Sequence, residues 1–254
     1  MIHRPCRTGQ KLDVAGLNEI IVIIDRSETE LTEVGLNSWA PGLDGPPHAH
    51  EQKEQNFLVT AGRGLVRIGA DTFPAAAGAF FYVPAGTIHQ TINQGTDRLE
   101  YFLFNAFLDA SKEGHASFAD HIAKVKEERR QQAATQRASA DQPAAGRRST
   151  RPGKRVLLAD CASPRTTLVD RRETARCEAV YHQYPAGHVL AAGADDTKEQ
   201  TLFILEGAGQ FTVAEHTEPA SAGEVVFVRR SASLAVTAGP AGLRMVSFGT
   251  VVRR

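Results

Sequence analysis

Three histidines in this chain are spaced so that they could share one ion. Two lie in Gly42-x5-His48-Ala49-His50-x4-Gln55-x6-Gly62. The third lies in Pro84-Ala85-Gly86-Thr87-Ile88-His89-Gln90-Thr91-Ile92-Asn93. Imidazoles at i and i+2 of a strand point to the same face, which here predicts the interior of a barrel. Gln55 begins the next strand, and His89 begins a later one after a Pro/Gly turn. Three imidazoles and an amide oxygen could then converge on a divalent ion and leave positions for water or substrate. Glu54 remains an alternative fourth ligand at the shorter spacing. Gln55 is preferred because it keeps the six-residue step to Gly62 and because strand alternation turns Glu54 outward. A neutral ligand set leaves the full charge on the metal. That favours an anionic or enolate-like oxygen and lowers the pKa of bound water.

The groups around such an ion can be ranked by parity. Phe57 and Val59 share the parity of Gln55. Phe80, Tyr82, Tyr101 and Leu103 sit on neighbouring strands as candidates for an apolar wall. Trp39 and Asn37 precede the first motif and could guard the mouth. A buried hydroxyl seeks a partner, so Tyr82 and Tyr101 are candidate catalytic groups, with Glu54 as a third. Gln90 or Thr91 could steady the His89 ring. The chain has no phosphate loop and no dinucleotide fingerprint, and no spacing singles out a Ser-His-Asp set. Its three cysteines, Cys6, Cys161 and Cys177, are far apart and odd in number. They predict neither a disulfide scaffold nor a structural zinc site, and they fit a reducing cytoplasm.

The elements that must position these residues occur twice. At an offset of 145 residues, Asp25-Arg26-Ser27-Glu28-Thr29 meets Asp170-Arg171-Arg172-Glu173-Thr174. In the same register Gly42, Lys53-Glu54-Gln55, Gly62-x-Gly64, Gly78 and Val83 meet Gly187, Lys198-Glu199-Gln200, Gly207-x-Gly209, Gly223 and Val228. A register that lands on glycines argues for duplication of one backbone. Each unit holds short β-branched and aromatic runs, such as 20–24, 57–59, 65–68, 80–83 and 99–104, between Gly/Pro turns. This pattern predicts a double-sheet jelly roll. The same frame puts Gly193, Asp195 and Leu234 at the three histidine positions, so the second unit should hold no metal. His182 and His188 both precede those positions.

Between the units the composition changes. Ser117-Phe118-Ala119-Asp120 has the form of a capping box, and Phe118, His121, Ile122 and Val125 share a helical face. A helix from about Phe118 to about Arg137 is expected, followed by a mobile Ala/Pro/Gly/Arg-rich stretch from Asp141 to Gly153. Residues 124–155 hold ten Lys/Arg and three Asp/Glu, within a chain whose 29 basic and 29 acidic residues cancel. The neutral total is therefore a basic connector between acidic barrels. No interleaved aromatics accompany the basic run, so it reads as a solvated linker and not as a nucleic-acid surface. No apolar run approaches a membrane span, and no signal peptide is expected.

Both histidine motifs resemble those of the cupin superfamily, G-x5-H-x-H-x(3,4)-E-x6-G and P-x-G-x2-H-x3-N. The second is complete, and the first departs only where Gln55 replaces the usual Glu. With the repeat, the whole chain resembles a bicupin. The resemblance implies an all-β fold of two tandem double-stranded β-helix (jelly-roll) barrels joined by a helical and flexible linker. The expected units are residues 1–110 with the metal, a linker over 111–153, and a barrel without metal ligands over 154–254. The resemblance also implies a divalent metal held by His48, His50 and His89, with iron first and manganese, zinc or nickel next. Pairing one metal-competent barrel with a degenerate one is similar to gentisate-type ring-cleaving dioxygenases. The expected activity is therefore dioxygenation of a small aromatic or enolisable substrate. The alternatives are a non-oxidative metal enzyme, as in ureidoglycine aminohydrolase-like bicupins, or a small-molecule-binding cupin without catalysis. Expected partners are a small-molecule substrate and a second copy in a homodimer, with neither nucleic acid nor membrane.

Overall fold

The structure is a computed structural model that describes residues 1–14, 16–136 and 151–252, with the backbone alone for 128–136 and residue 192. It consists of two β-barrels. In the first, one sheet runs, in spatial order, Lys154–Leu157, Ala79–Val83, Lys53–Ala61, Leu99–Phe107, Thr32–Trp39, Asn18–Ile24, Gln10–Val14. The facing sheet is Leu43–Asp44, His89–Asn93, Arg63–Ile68, Asp71–Ala76. In the second barrel, the long strands Lys198–Val213 and Leu234–Val251 pair with each other through two register shifts and carry one eight-stranded sheet. Glycines at matching turns hold matching backbone: φ is 73°, 77° and 84° at Gly42, Gly62 and Gly78, against 71°, 75° and 84° at Gly187, Gly207 and Gly223. A Cβ at Gly62 would lie 2.1 Å from the Arg98 carbonyl oxygen, and one at Gly207 would lie 2.1 Å from that of Gly242. No other residue fits either turn without moving backbone.

The large sheets of the two barrels pack face to face, so strands at the contact are buried on both sides. Ile20 and Val22 enter the first barrel's interior, while Ile23 and Ile24 enter the core shared by both barrels. Phe102 stacks on Phe203 and Phe248 in that shared core, with ring centroids 4.4 and 5.3 Å apart. The barrels also exchange strands. Ile2–Pro5 pairs with Glu224–Val228 of the second barrel, and Lys154–Leu157 pairs with Ala79–Val83 of the first. The two sheets thus interleave along the chain: its first strand pairs into the second barrel, and Lys154–Leu157 pair into the first.

A helix covers Phe118–Gln136, close to the expected span. Its capping box is made: Asp120 N donates to Ser117 Oγ at 3.1 Å, and Ser117 N donates to Asp120 Oδ2 at 3.2 Å. The Phe118 N–H adds a bond to Asp25 Oδ2 at 2.9 Å. Phe118 and Ile122 are buried in the first barrel's core, so this helix seats on the barrel and is not a solvated connector. The mobile stretch expected over 141–153 lies, as far as residue 150, outside the described residues.

Candidate metal centre

His48 and His89 are tied backbone to backbone. His48 N donates to His89 O at 3.0 Å, and His89 N donates to His48 O at 2.8 Å, forming an isolated antiparallel bridge. The His-x-His segment is held by this bridge and is not a regular strand, which differs from the expected i, i+2 strand. The ring centroids lie 4.9 Å apart for His48 and His50, 4.3 Å for His48 and His89, and 5.4 Å for His50 and His89. One ligand atom from each histidine falls within 4.8 Å of the others.

Neighbouring carbonyls set the tautomers. His48 Nδ1 lies 3.0 Å from Pro46 O, and His89 Nδ1 lies 3.1 Å from Thr87 O. A carbonyl only accepts, so both rings carry the proton on Nδ1 and turn the Nε2 lone pair to the site. Burial, with Lys53 and then His48 adding to it, holds the His50 imidazole well below its ordinary range. Burial and His48 do the same to His89. Neutral imidazole is the form that binds a metal.

Gln55 lines the same cavity, and a charged chain behind it fixes its polarity. Arg26 Nε donates to Glu33 Oε2 at 2.5 Å, Asn105 Nδ2 donates to Glu33 Oε1 at 2.7 Å, and Gln55 Nε2 donates to Asn105 Oδ1 at 2.9 Å. All four residues are buried. A carboxylate paired with a guanidinium only accepts, so Asn105 must turn its NH2 to Glu33 and its oxygen to Gln55. Gln55 must then spend its NH2 on Asn105. Its Oε1 is buried and has no hydrogen-bond partner. The residues present therefore fit a divalent ion: three imidazoles and one orphaned amide oxygen line one cavity.

Glu54 and Tyr82 are elsewhere. Tyr82 belongs to the core shared by the two barrels, and its hydroxyl donates to Glu54 Oε1 at 2.5 Å. Glu54 also accepts the backbone N–H groups of Ala175, Arg176 and Cys177, at 2.8, 2.7 and 3.1 Å. Phe80 shares this face; on the same strand Phe81 and Val83 face the cavity side instead. Tyr101 does reach the cavity, but its hydroxyl is committed. Asn37 Nδ2 and Trp39 Nε1 donate to it at 2.9 and 3.0 Å, so its own proton goes to Thr91 Oγ1 at 3.1 Å. Burial pushes this phenol up, which keeps it protonated. Asn37, Trp39 and Thr91 thus brace the cavity wall, and Gln90 Nε2 holds the Gly45 carbonyl at 2.8 Å.

Three polar groups at the site are specified by neither motif. Lys53 lines the cavity and donates to Glu113 Oε2 at 2.9 Å. His121 arrives on the helix, its ring 6.4 Å from that of His50. The spacing of Phe118, His121, Ile122 and Val125 on one face was the available signal, because an amphipathic face must cover something. In the second barrel, Leu234 at the His89 position lies in apolar core, and Asp195 bonds Thr197.

A family profile described as a cupin domain matches residues 36–105. Among solved structures, protein Ylba from E. coli matches with a TM-score of 0.72 at 12% identity, covering 99% of this chain and 91% of that one. An 11S globulin from Wrightia tinctoria matches with a TM-score of 0.69 at 10% identity, covering 98% and 83%. Salicylate 1,2-dioxygenase from Pseudoaminobacter salicylatoxidans, in complex with gentisate, matches with a TM-score of 0.63 at 14% identity, covering 87% and 69%. No curated protein matches the chain. Residues 36–105 thus match a cupin domain, and the chain as a whole shares the two-barrel fold of these structures.

Proposed function

We propose that this protein is a metal-dependent enzyme whose first barrel binds a divalent ion through His48, His50, His89 and the Gln55 oxygen. The substrate is a small chelating anion, and the leading reading is an iron-dependent dioxygenase of an enolisable acid. The observation that carries it is the orphaned Gln55 Oε1 beside three convergent imidazoles in one cavity. A divalent ion there would supply Lewis-acid polarisation of a substrate oxygen and, where the ion is iron, one-electron activation of dioxygen. The chain's own groups do the rest. Phe57, Leu103, Phe118, Ile122 and Val125 give the cavity an apolar lining, and Tyr101 with its three partners fixes the wall. The cavity measures about 110 Å³. So small a site favours a compact acid over an aromatic diol with the helix seated. The fold's likeness to a dioxygenase supports the oxidative reading.

A second reading is proton-transfer chemistry without oxidation: hydrolysis, decarboxylation or isomerisation. It rests on the Lys53–Glu113 pair beside the cavity. Metal analysis of the purified protein, with oxygen uptake against enolisable acids, diketones, catechol and gentisate, tests the two. Iron with oxygen-consuming turnover supports the first; tightly held zinc or manganese with no oxygen consumption sinks it and leaves the second. Three buried, unpaired cysteines support a cytoplasmic setting. A homodimer belongs to the same proposal and is checked by light scattering.

A further inference from the structure

The helix Phe118–Gln136 brings a fourth imidazole to the cavity. Phe118, His121, Ile122 and Val125 line it together with His48, His89 and Gln55. His121 is the one polar residue of those four. Its position is fixed: Phe118 is anchored at both backbone and ring, the ring lying 5.8 Å from the buried Arg26 guanidinium. His121 N donates to Ser117 O at 3.2 Å.

The His121 ring nevertheless has unmet hydrogen bonding. Nδ1 is buried with no hydrogen-bond partner. The nearest carboxylate oxygen, Glu113 Oε2, is 4.0 Å away, beyond hydrogen-bond reach. That carboxylate is held by Lys53 at 2.9 Å. His115 packs edge-on at 5.2 Å and places no hydrogen bond on it. His121 also stands outside the convergent set of His48, His50 and His89. A buried polar atom without a partner, on a residue that lines a cavity, marks the place of a missing one. Burial, then the cations Lys53 and Arg26, hold this imidazole far below its ordinary range, so the ring is neutral and can donate on one nitrogen and accept on the other.

The charge around the cavity selects the class of partner. Lys53 and Glu113 cancel as a pair, and the candidate ligands are neutral, so a divalent ion would leave the cavity positive. The cavity is small, about 110 Å³. We propose that His121 is a substrate-contacting residue. The ligand is a small chelating anion of the 2-oxo or 2-hydroxy carboxylate type, with its chelating oxygens toward the three histidines and a further oxygen hydrogen-bonded to His121. This rests on the metal reading above. The helix is thereby a wall of the site, and its polar residue selects for an oxygen at the outer end of the ligand.

The test uses the full-length protein loaded with cobalt(II), whose visible spectrum reports ligand exchange, and titrated with oxalate, glycolate and gentisate. The wild type should bind oxalate at least tenfold tighter than gentisate. His121→Leu should keep full cobalt content and an unchanged or higher Tm, because it removes an unpartnered polar atom, while oxalate affinity falls at least tenfold. His121→Gln, which restores a donor and an acceptor, should recover most of that loss. Unchanged oxalate affinity in His121→Leu at full cobalt content would overturn the role of His121 alone. Tighter binding of gentisate than oxalate by the wild type would overturn the substrate class. Failure of the wild type to take up cobalt would overturn this proposal together with the metal reading.

Discussion

Gln55 shows how one residue's chemistry is set by others. An amide can present either end to a cavity, and the choice is made by Glu33 through Asn105. Replacing Gln55 with Ala removes the oxygen; replacing Glu33 with Ala frees both amides to turn. Each change should lower divalent-metal affinity by about 10- to 100-fold, read as metal content after dialysis. Replacing His48 and His89 together with Ala should abolish uptake, while Leu234→Ala should leave it intact. Stoichiometric metal in the double variant would refute the site. His182, in the second barrel, carries a separate expectation. It bonds Tyr184 Oη and Ser247 Oγ at 2.7 and 2.8 Å, and burial, with Arg165 adding to it, pulls its imidazole from 6.5 down to about 4. Below pH 6.5 the unfolded chain takes up a proton that the folded chain refuses until about pH 4. Its contribution is therefore full above pH 6.5 and is lost as pH falls through that window, by about 3 kcal/mol in all. Denaturant titrations between pH 7 and 4 should show this loss, and His182→Gln should flatten it.

At the level of elements, the sequence shows the strands clearly and their facing less well. The alternation that sets Gln55, Phe57 and Val59 on one strand face is legible, whereas the His-x-His segment is held by its bridge to His89 and not by a strand. The run Phe80-Phe81-Tyr82-Val83 misleads because both its faces are buried. Phe81 and Val83 face the first barrel's interior, while Phe80 and Tyr82 face the second barrel. Alternation cannot choose between two apolar environments. The helix is similar: its cap and apolar face are legible, but where that face seats depends on a surface no local pattern describes. Tyr82→Phe should therefore cost about 1–3 kcal/mol of stability through the lost bond to Glu54, with metal content unchanged. Phe118→Ala should cost about 3–5 kcal/mol and open the cavity, read as faster metal loss to a chelator.

The whole molecule is organised by a reciprocal contact that the repeat makes intelligible. Glu54 of the first barrel accepts the backbone N–H groups of Ala175, Arg176 and Cys177 in the second. Its counterpart Glu199 accepts those of Glu30 and Leu31 in the first, at 2.7 and 2.9 Å, together with the Thr32 hydroxyl at 2.9 Å. These are the same positions in the 145-residue frame, with donor and acceptor barrels exchanged. The shared Lys-Glu-Gln triplet is thus retained where metal ligands are lost, because its Glu docks barrel to barrel. Both carboxylates are buried, so truncation leaves several polar groups unpaired. Glu54→Ala and Glu199→Ala should each cost about 3 kcal/mol or more. The loss should be similar for the two, although only one stands beside the candidate metal site. Since both hold one interface, the double variant should lose less than the sum of the singles once the barrels have separated. Denaturant unfolding of the four proteins measures this. Metal content supplies the control: the folded Glu54→Ala protein should bind metal as the wild type does. A selective loss of metal there, with Glu199→Ala unaffected, would return Glu54 to the metal and remove it from the docking contact.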